Sequence, residues 1–181
     1  MSVLLENYDT TIQQQGLNTN KNVVLGGNLN VTGTTTLAGV VQSTMTPVAS
    51  GGATKTITAA QSGDVFLLDQ AAGVTYTLPT PTVGLNYTFV CTVAVTSNND
   101  IIQTANTGTQ FIMGGLNLVV SNSATSKAFF ANGTSNSTVT MNGTTSGGII
   151  GTQITYIALS TTVWYINGDV GASGTLVTPI S

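Results

Sequence analysis

From Ala53 onward, short segments with an apolar pattern are separated by clusters of Gly, Asn, Ser and Pro. They recur about every ten residues, the spacing of an all-β sandwich or barrel. The expected strands are 55–59, 65–68, 74–78, 87–95, 100–104, 110–113, 116–120, 127–130, 138–141, 149–159 and 163–166. Side chains alternate across a strand. Val74, Tyr76 and Leu78 therefore share one side, with Thr75 and Thr77 on the other. Tyr87, Phe89, Cys91, Val93 and Val95 form a second such row. The unbroken run Val65-Phe66-Leu67-Leu68 predicts burial on both faces. Pro79 and Pro81 lack the N–H that a central ladder needs, so they end a strand or mark an edge. Asn132-Gly133, Asn142-Gly143 and Asn167-Gly168 are the strongest turn signals. Trp164 reads as a core anchor, or alternatively as an exposed platform for a sugar. The lone Cys91 sits among apolar neighbours and reads as a small buried hydrophobe.

The surface of such a domain has to be built almost without charge. The chain has 34 Thr and 21 Gly, but only three Lys (Lys21, Lys55, Lys127), no Arg and no His. Its acids are Glu6, Asp9, Asp64, Asp69, Asp100 and Asp169. Binding to nucleic acid needs clustered Lys or Arg and is not expected. No apolar run approaches the ~20 residues of a membrane-spanning helix, so no membrane partner is expected either. Without His the commonest general base is missing, and one Cys with no His makes no zinc site. Asp64 and Asp69, five apart around a β-segment, could suit a carboxylate pair, but they read more simply as turn residues at the ends of one strand. Asn98-Asn99-Asp100 offers oxygen ligands for calcium but reads as a hairpin turn. Gly26-Gly27 and Gly147-Gly148 lack the Lys of a phosphate-binding loop. The expectation is a non-enzyme without cofactor or metal. With few charged gatekeepers to block strand edges, such a protein is expected in a symmetric assembly.

The first 46 residues read differently. Residues 1–22 are polar with a brief apolar start, and Val3, Leu4, Leu5 and Tyr8 are the candidates for anchoring this arm on a partner. Residues 23–46 carry a repeat of six: Leu25-Gly26-Gly27, Val31-Thr32-Gly33, Leu37-Ala38-Gly39. A period of six is neither helical nor simply extended; it suits short extended pieces that turn at each Gly. One copy has nowhere to bury these aliphatic side chains, whereas three copies wound around an axis do. Leu25, Gly27, Leu29, Val31, Gly33, Leu37 and Gly39 are thus the expected contacts of a trimeric β-stalk. The stretch 47–52 reads as a hinge into the domain at 47–181. No basic-then-apolar leader opens the chain, so no secretory signal is expected.

Three segments resemble bacteriophage fibre and virion-surface structural proteins: GNLNVTGTTTLAG at 27–39, GDVFLLDQAAGVTYTLPTPTVGLNYTFV at 63–90 and TYIALSTTVWYINGDVG at 155–171. The resemblance implies a virion structural role, with manufacture in the host cytoplasm and residence on the particle. The expected form is a homotrimeric capsid decoration protein or head fibre, with the arm docked on the major capsid protein or another virion protein. Its domain, a sandwich or jelly-roll-like fold, would face outward. The alternative is a tail-fibre or spike module that recognises a host surface glycan or protein, since aromatic rings and amides suit sugars.

Overall fold

A computed structural model describes residues 47–181. The arm (Val3, Leu4, Leu5, Tyr8) and the stalk (Leu25, Gly27, Leu29, Val31, Gly33, Leu37, Gly39) lie outside the described residues. Within them the chain is all-β. Ten strands run in the order β1 Thr54–Thr56, β2 Val65–Leu68, β3 Thr75–Thr77, β4 Asn86–Cys91, β5 Asp100–Gln103, β6 Phe111–Val120, β7 Ser126–Asn132, β8 Thr138–Met141, β9 Gln153–Ala158 and β10 Val163–Ala172, with one 3-10 turn at Ala59–Gln61.

Two sheets form, in the orders β1-β3-β5-β8 and β2-β4-β9-β10-β6-β7. Four of the eight ladders are parallel, which departs from the antiparallel hairpins of a jelly roll. The reason lies in the path of the first half. Successive strands β1 to β5 alternate between the two sheets, so each lands beside the strand two before it and runs the same way. Val48, Phe66 and Phe89 stack in one sheet, and Lys55, Tyr76 and Ile102 in the other. Here the strand in the opposite sheet supplies the long crossover that a parallel pair requires.

The expected alternation is observed as far as Cys91, where β4 ends; beyond it Val93 is exposed while Val95 is buried. Val74, Tyr76, Leu78, Tyr87, Phe89 and Cys91 are all buried, because each points into the space between the sheets. In β2 only Phe66 and Leu68 are fully buried, while Val65 and Leu67 are half-buried on the opposite face. Rings from both sheets interlock: Phe66 meets Tyr76 edge-on at 5.8 Å and Tyr76 meets Phe89 at 5.3 Å. Further along the six-stranded sheet, Phe89 meets Tyr156 at 5.6 Å and Tyr87 meets Trp164 at 5.6 Å. Each such pair adds about 0.5–1.5 kcal/mol beyond simple burial. Trp164 is wholly buried and is a core anchor, so it is no sugar platform.

Three local expectations change. The stretch 47–52 is joined to the domain: Val48 pairs with Phe66, and Ser50 is buried, its N–H donating to Asp69 Oδ2 at 3.3 Å. The segments 110–113 and 116–120 are one strand, β6, running straight through Gly114-Gly115. Asn167-Gly168 is not a turn but the middle of β10. Gly168 is needed there because a Cβ would run into the backbone carbonyl of Gln153 on the neighbouring strand. The other two Asn-Gly pairs do turn the chain, with left-handed Gly133 (φ 81°) and Gly143 (φ 77°). Both carry it from one sheet to the other instead of closing a hairpin.

The strand edges are handled individually. Val48 covers β2, its N–H donating to Val65 O at 2.8 Å. Beyond it Pro47 has no N–H to offer, and the Ala49 carbonyl accepts from Lys55 Nζ at 2.8 Å. Residues 179–181 cover β8: Thr138 N–H donates to Ser181 O at 2.9 Å and Thr140 N–H to Pro179 O at 2.8 Å. β1 is three residues long. Only β7, seven residues long, presents an extended edge among the described residues.

Gly168→Ala tests the reading of β10. A turn glycine of ordinary conformation would accept Ala with little effect. The clash with Gln153 should instead cost about 1–3 kcal/mol, read as a lowered urea midpoint at unchanged slope.

Candidate functional site

The outer face of the six-stranded sheet carries the side chains that the core does not use. Its rows follow from the register. One row runs Val65, Thr88, Thr155, Asn167, Gly115, Phe130 from β2 to β7. A second runs Leu67, Val90, Gln153, Asp169, Asn117, Ala128, and a third Asn86, Ile157, Tyr165, Met113, Asn132. The middle of this face is low, because Thr155 and Gly115 are small. A groove of about 480 Å³ lies there, lined by Gly151, Gln153, Thr155, Ile157, Tyr165, Asn167, Gly168 and Asp169.

The groove is polar at one end and apolar at the other. Asn117 Nδ2 donates to Asp169 Oδ1 at 3.2 Å. The side chains of Gln153, Thr155 and Asn167 make no hydrogen bond to other described residues, so their amides and hydroxyl are free to meet a ligand. Toward the β9–β10 turn the face becomes apolar, with Ile157, Leu159 and Met113 partly exposed. No Lys lines the groove and Asp169 is its only charge, an arrangement that suits a neutral polyhydroxylated ligand and repels an anion.

The acids singled out from the sequence are not assembled into a site. Asp64 and Asp69 bracket β2. Five extended steps along the chain separate their Cα atoms by about 16 Å, beyond the spacing of a glycosidase pair. Asp69 is engaged structurally: Oδ2 accepts from Ser50 N–H and Oδ1 from Gln70 Nε2, each at 3.3 Å. Partial burial pushes its carboxyl up, but these hydrogen bonds outweigh it and hold the group below the usual range. Asn98 makes the expected turn, with φ 59°. Asp100 does not: it opens β5 and is completely buried. Its Oδ1 accepts the Val74 N–H at 3.0 Å, while Oδ2 has no partner among the described residues. Burial pushes its carboxyl up to about 6. Burial, with the nearby Asp100 charge, also raises the Cys91 thiol to about 11, which leaves it protonated and unreactive. Among the described residues no three His, Cys, Asp or Glu side chains gather to hold a metal, and no helix is long and apolar enough to cross a membrane.

Sequence reasoning missed the groove because its residues are spread over two strands, β9 and β10, whose register was not readable. Polar residues alternating with core residues at Gln153, Thr155, Asn167 and Asp169 were the available signal. No protein-family model, curated protein or solved structure matches this chain.

Asp100 makes stability depend on pH. Its folded pKa of about 6 lies above the ordinary 3.8, so the folded protein holds this proton more tightly than the unfolded chain. The stabilisation is complete below pH 4 and is lost as pH rises through 6. The displacement corresponds to at most about 3 kcal/mol. Asp100→Asn keeps an acceptor for Val74 and removes the charge. Denaturant melts should show a flatter profile between pH 4 and 7, and a variant more stable than the parent at pH 7.5.

Proposed function

We propose that this chain is a non-enzymatic structural protein of a bacteriophage virion. It is a homotrimeric capsid decoration protein or head fibre. The arm at 1–22 docks on the major capsid protein or another shell protein. The glycine repeat at 23–46 winds with two other copies into a stalk, and the two-sheet domain at 47–181 projects outward. The observation that carries this reading is the pairing of an all-β domain almost free of charge with a preceding six-residue repeat that cannot bury its own aliphatic side chains. A partner that binds only the assembled shell stabilises it by mass action, and three linked arms add multivalent grip.

Two variants test it. Deleting residues 2–20 should abolish binding to particles while leaving the trimer intact by light scattering. Val31→Asp, placed in the repeat, should lower the measured mass toward that of one chain. Decoration by the truncated protein, or an unchanged mass for Val31→Asp, would refute the corresponding assignment. Copy number on the particle then decides its location, dozens or more for the shell and a handful for a tail.

The groove favours a second reading, a tail-fibre or spike module that recognises a neutral glycan. Tyr165 would offer a ring face, and Gln153, Thr155 and Asn167 the hydrogen bonds. Under this reading a glycan array should show neutral sugars bound in preference to sialylated ones, and Asn167→Ala should weaken that binding at least about fivefold, the loss of roughly 1 kcal/mol for one hydrogen bond. An array without signal removes it.

A further inference from the structure

Asp100 sits where three connectors meet at one end of the domain. Residues 69–74 join β2 to β3, residues 92–99 join β4 to β5, and residues 142–152 join β8 to β9. Ala71 O accepts from Thr96 N–H at 2.8 Å and from Ser97 N–H at 3.2 Å, and Asn98 Nδ2 donates to Ala72 O at 3.0 Å. Val95 N–H donates to Gly148 O at 3.1 Å, and Cys91 Sγ donates to the same carbonyl at 3.5 Å. Gly73 and Gly143 let the backbones approach, since a Cβ on either would run into the carbonyl of Asn99 or of Val95. At this junction Asp100 is completely buried; Oδ1 holds the first connector through Val74 N–H, and Oδ2 meets no partner among the described residues.

No positive charge compensates it. Among the described residues the cations are Lys55 and Lys127, which bond the carbonyls of Ala49 and Leu176. The titratable groups that act on Asp100 are Asp69 at the head of the first connector, Tyr76 on β3 and Cys91 on β4. β8 and the stretches 92–99 and 142–152 carry none. Asp69 is a like charge, and burial keeps Tyr76 and Cys91 protonated, so none of the three serves as counter-ion. A neutral carboxyl here leaves one polar atom unmatched. An anion leaves a buried charge with a single hydrogen bond, a far larger cost unless water reaches it.

We infer that this junction is a proton-operated latch: with Asp100 protonated the three connectors stay closed on one another, and with Asp100 ionised they part locally to admit water to Oδ2 while the two sheets stay folded. The connectors are the part that gives, because Thr96, Ser97 and Asn98 bond at the exposed surface, where opening costs least. The direction follows from burial. The closed form holds its proton up to about pH 6, against 3.8 for an ordinary Asp, so closure is strongest below pH 4 and weakens as pH rises to 6 and beyond.

Amide hydrogen exchange on the full chain, with each rate divided by that of an unstructured peptide at the same pH, reads the latch. Protection at Val74, Val95 and Thr96 should fall by up to about hundredfold from pH 4 to pH 7 and then level off. Low urea should leave it unchanged, because a local opening exposes little surface. Protection at Ala158 and Phe111, bonded to Leu85 O and Thr162 O at the strand ends remote from Cys91, should drop with urea. Asp100→Asn should hold protection at the junction flat across this pH range. If Val74, Val95 and Thr96 follow urea together with Ala158, only whole-domain unfolding reaches Asp100, and the latch is overturned while the global pH dependence stands. Wild-type protection that does not move between pH 4 and pH 7 also overturns it, whether or not the variant folds.

Discussion

The aromatic wall between the sheets is the interaction on which the rest depends. The first half of the domain winds back and forth and has no hairpin of its own; the second half contributes the antiparallel strands of the six-stranded sheet. Phe89 against Tyr156 and Tyr87 against Trp164 join the two halves, while Phe66 and Tyr76 join the two sheets. Without these rings the short strands β1 and β3, three residues each, would have too little of their own to hold them. The wall also sets which side chains are left over, and therefore which residues line the outer groove.

Scarcity of charge imposes a second constraint. Proteins commonly protect strand edges with Lys, bulges or Pro. Here one Lys, Lys55, satisfies a carbonyl beside Val48, and the remaining protection comes from the chain covering itself. The same scarcity leaves the apolar end of the outer face, with Ile157, Leu159 and Met113, free of charged side chains.

The all-β character, the rows Val74-Tyr76-Leu78 and Tyr87-Phe89-Cys91, and the burial of Trp164 were legible because alternation reports directly on which side of a strand faces the core. Strand order was not. Spacing of about ten residues suits a meander of hairpins just as well as a path that crosses between sheets at every step. Two glycine positions show the same limit. Gly168 and the pair Gly114-Gly115 resemble breaks in one dimension, yet they stand inside strands where a neighbouring backbone or ring needs the space. Asp100 was misread for a related reason: beside Asn98-Asn99 it has the chemistry of a turn, but its partner, the Val74 amide, is distant in the chain. The groove, assembled across β9 and β10 from residues that each look like ordinary solvent-facing positions, carried no local signature.

The clasp of residues 179–181 along β8 bears on how the protein is made. A ribosome releases β8 about forty residues before the segment that completes its hydrogen bonding. Throughout that interval the four-stranded sheet has an unfinished border. Completion of that border therefore depends on a segment far along the chain from the strand it covers, so the four-stranded sheet closes only after the whole six-stranded sheet has been made.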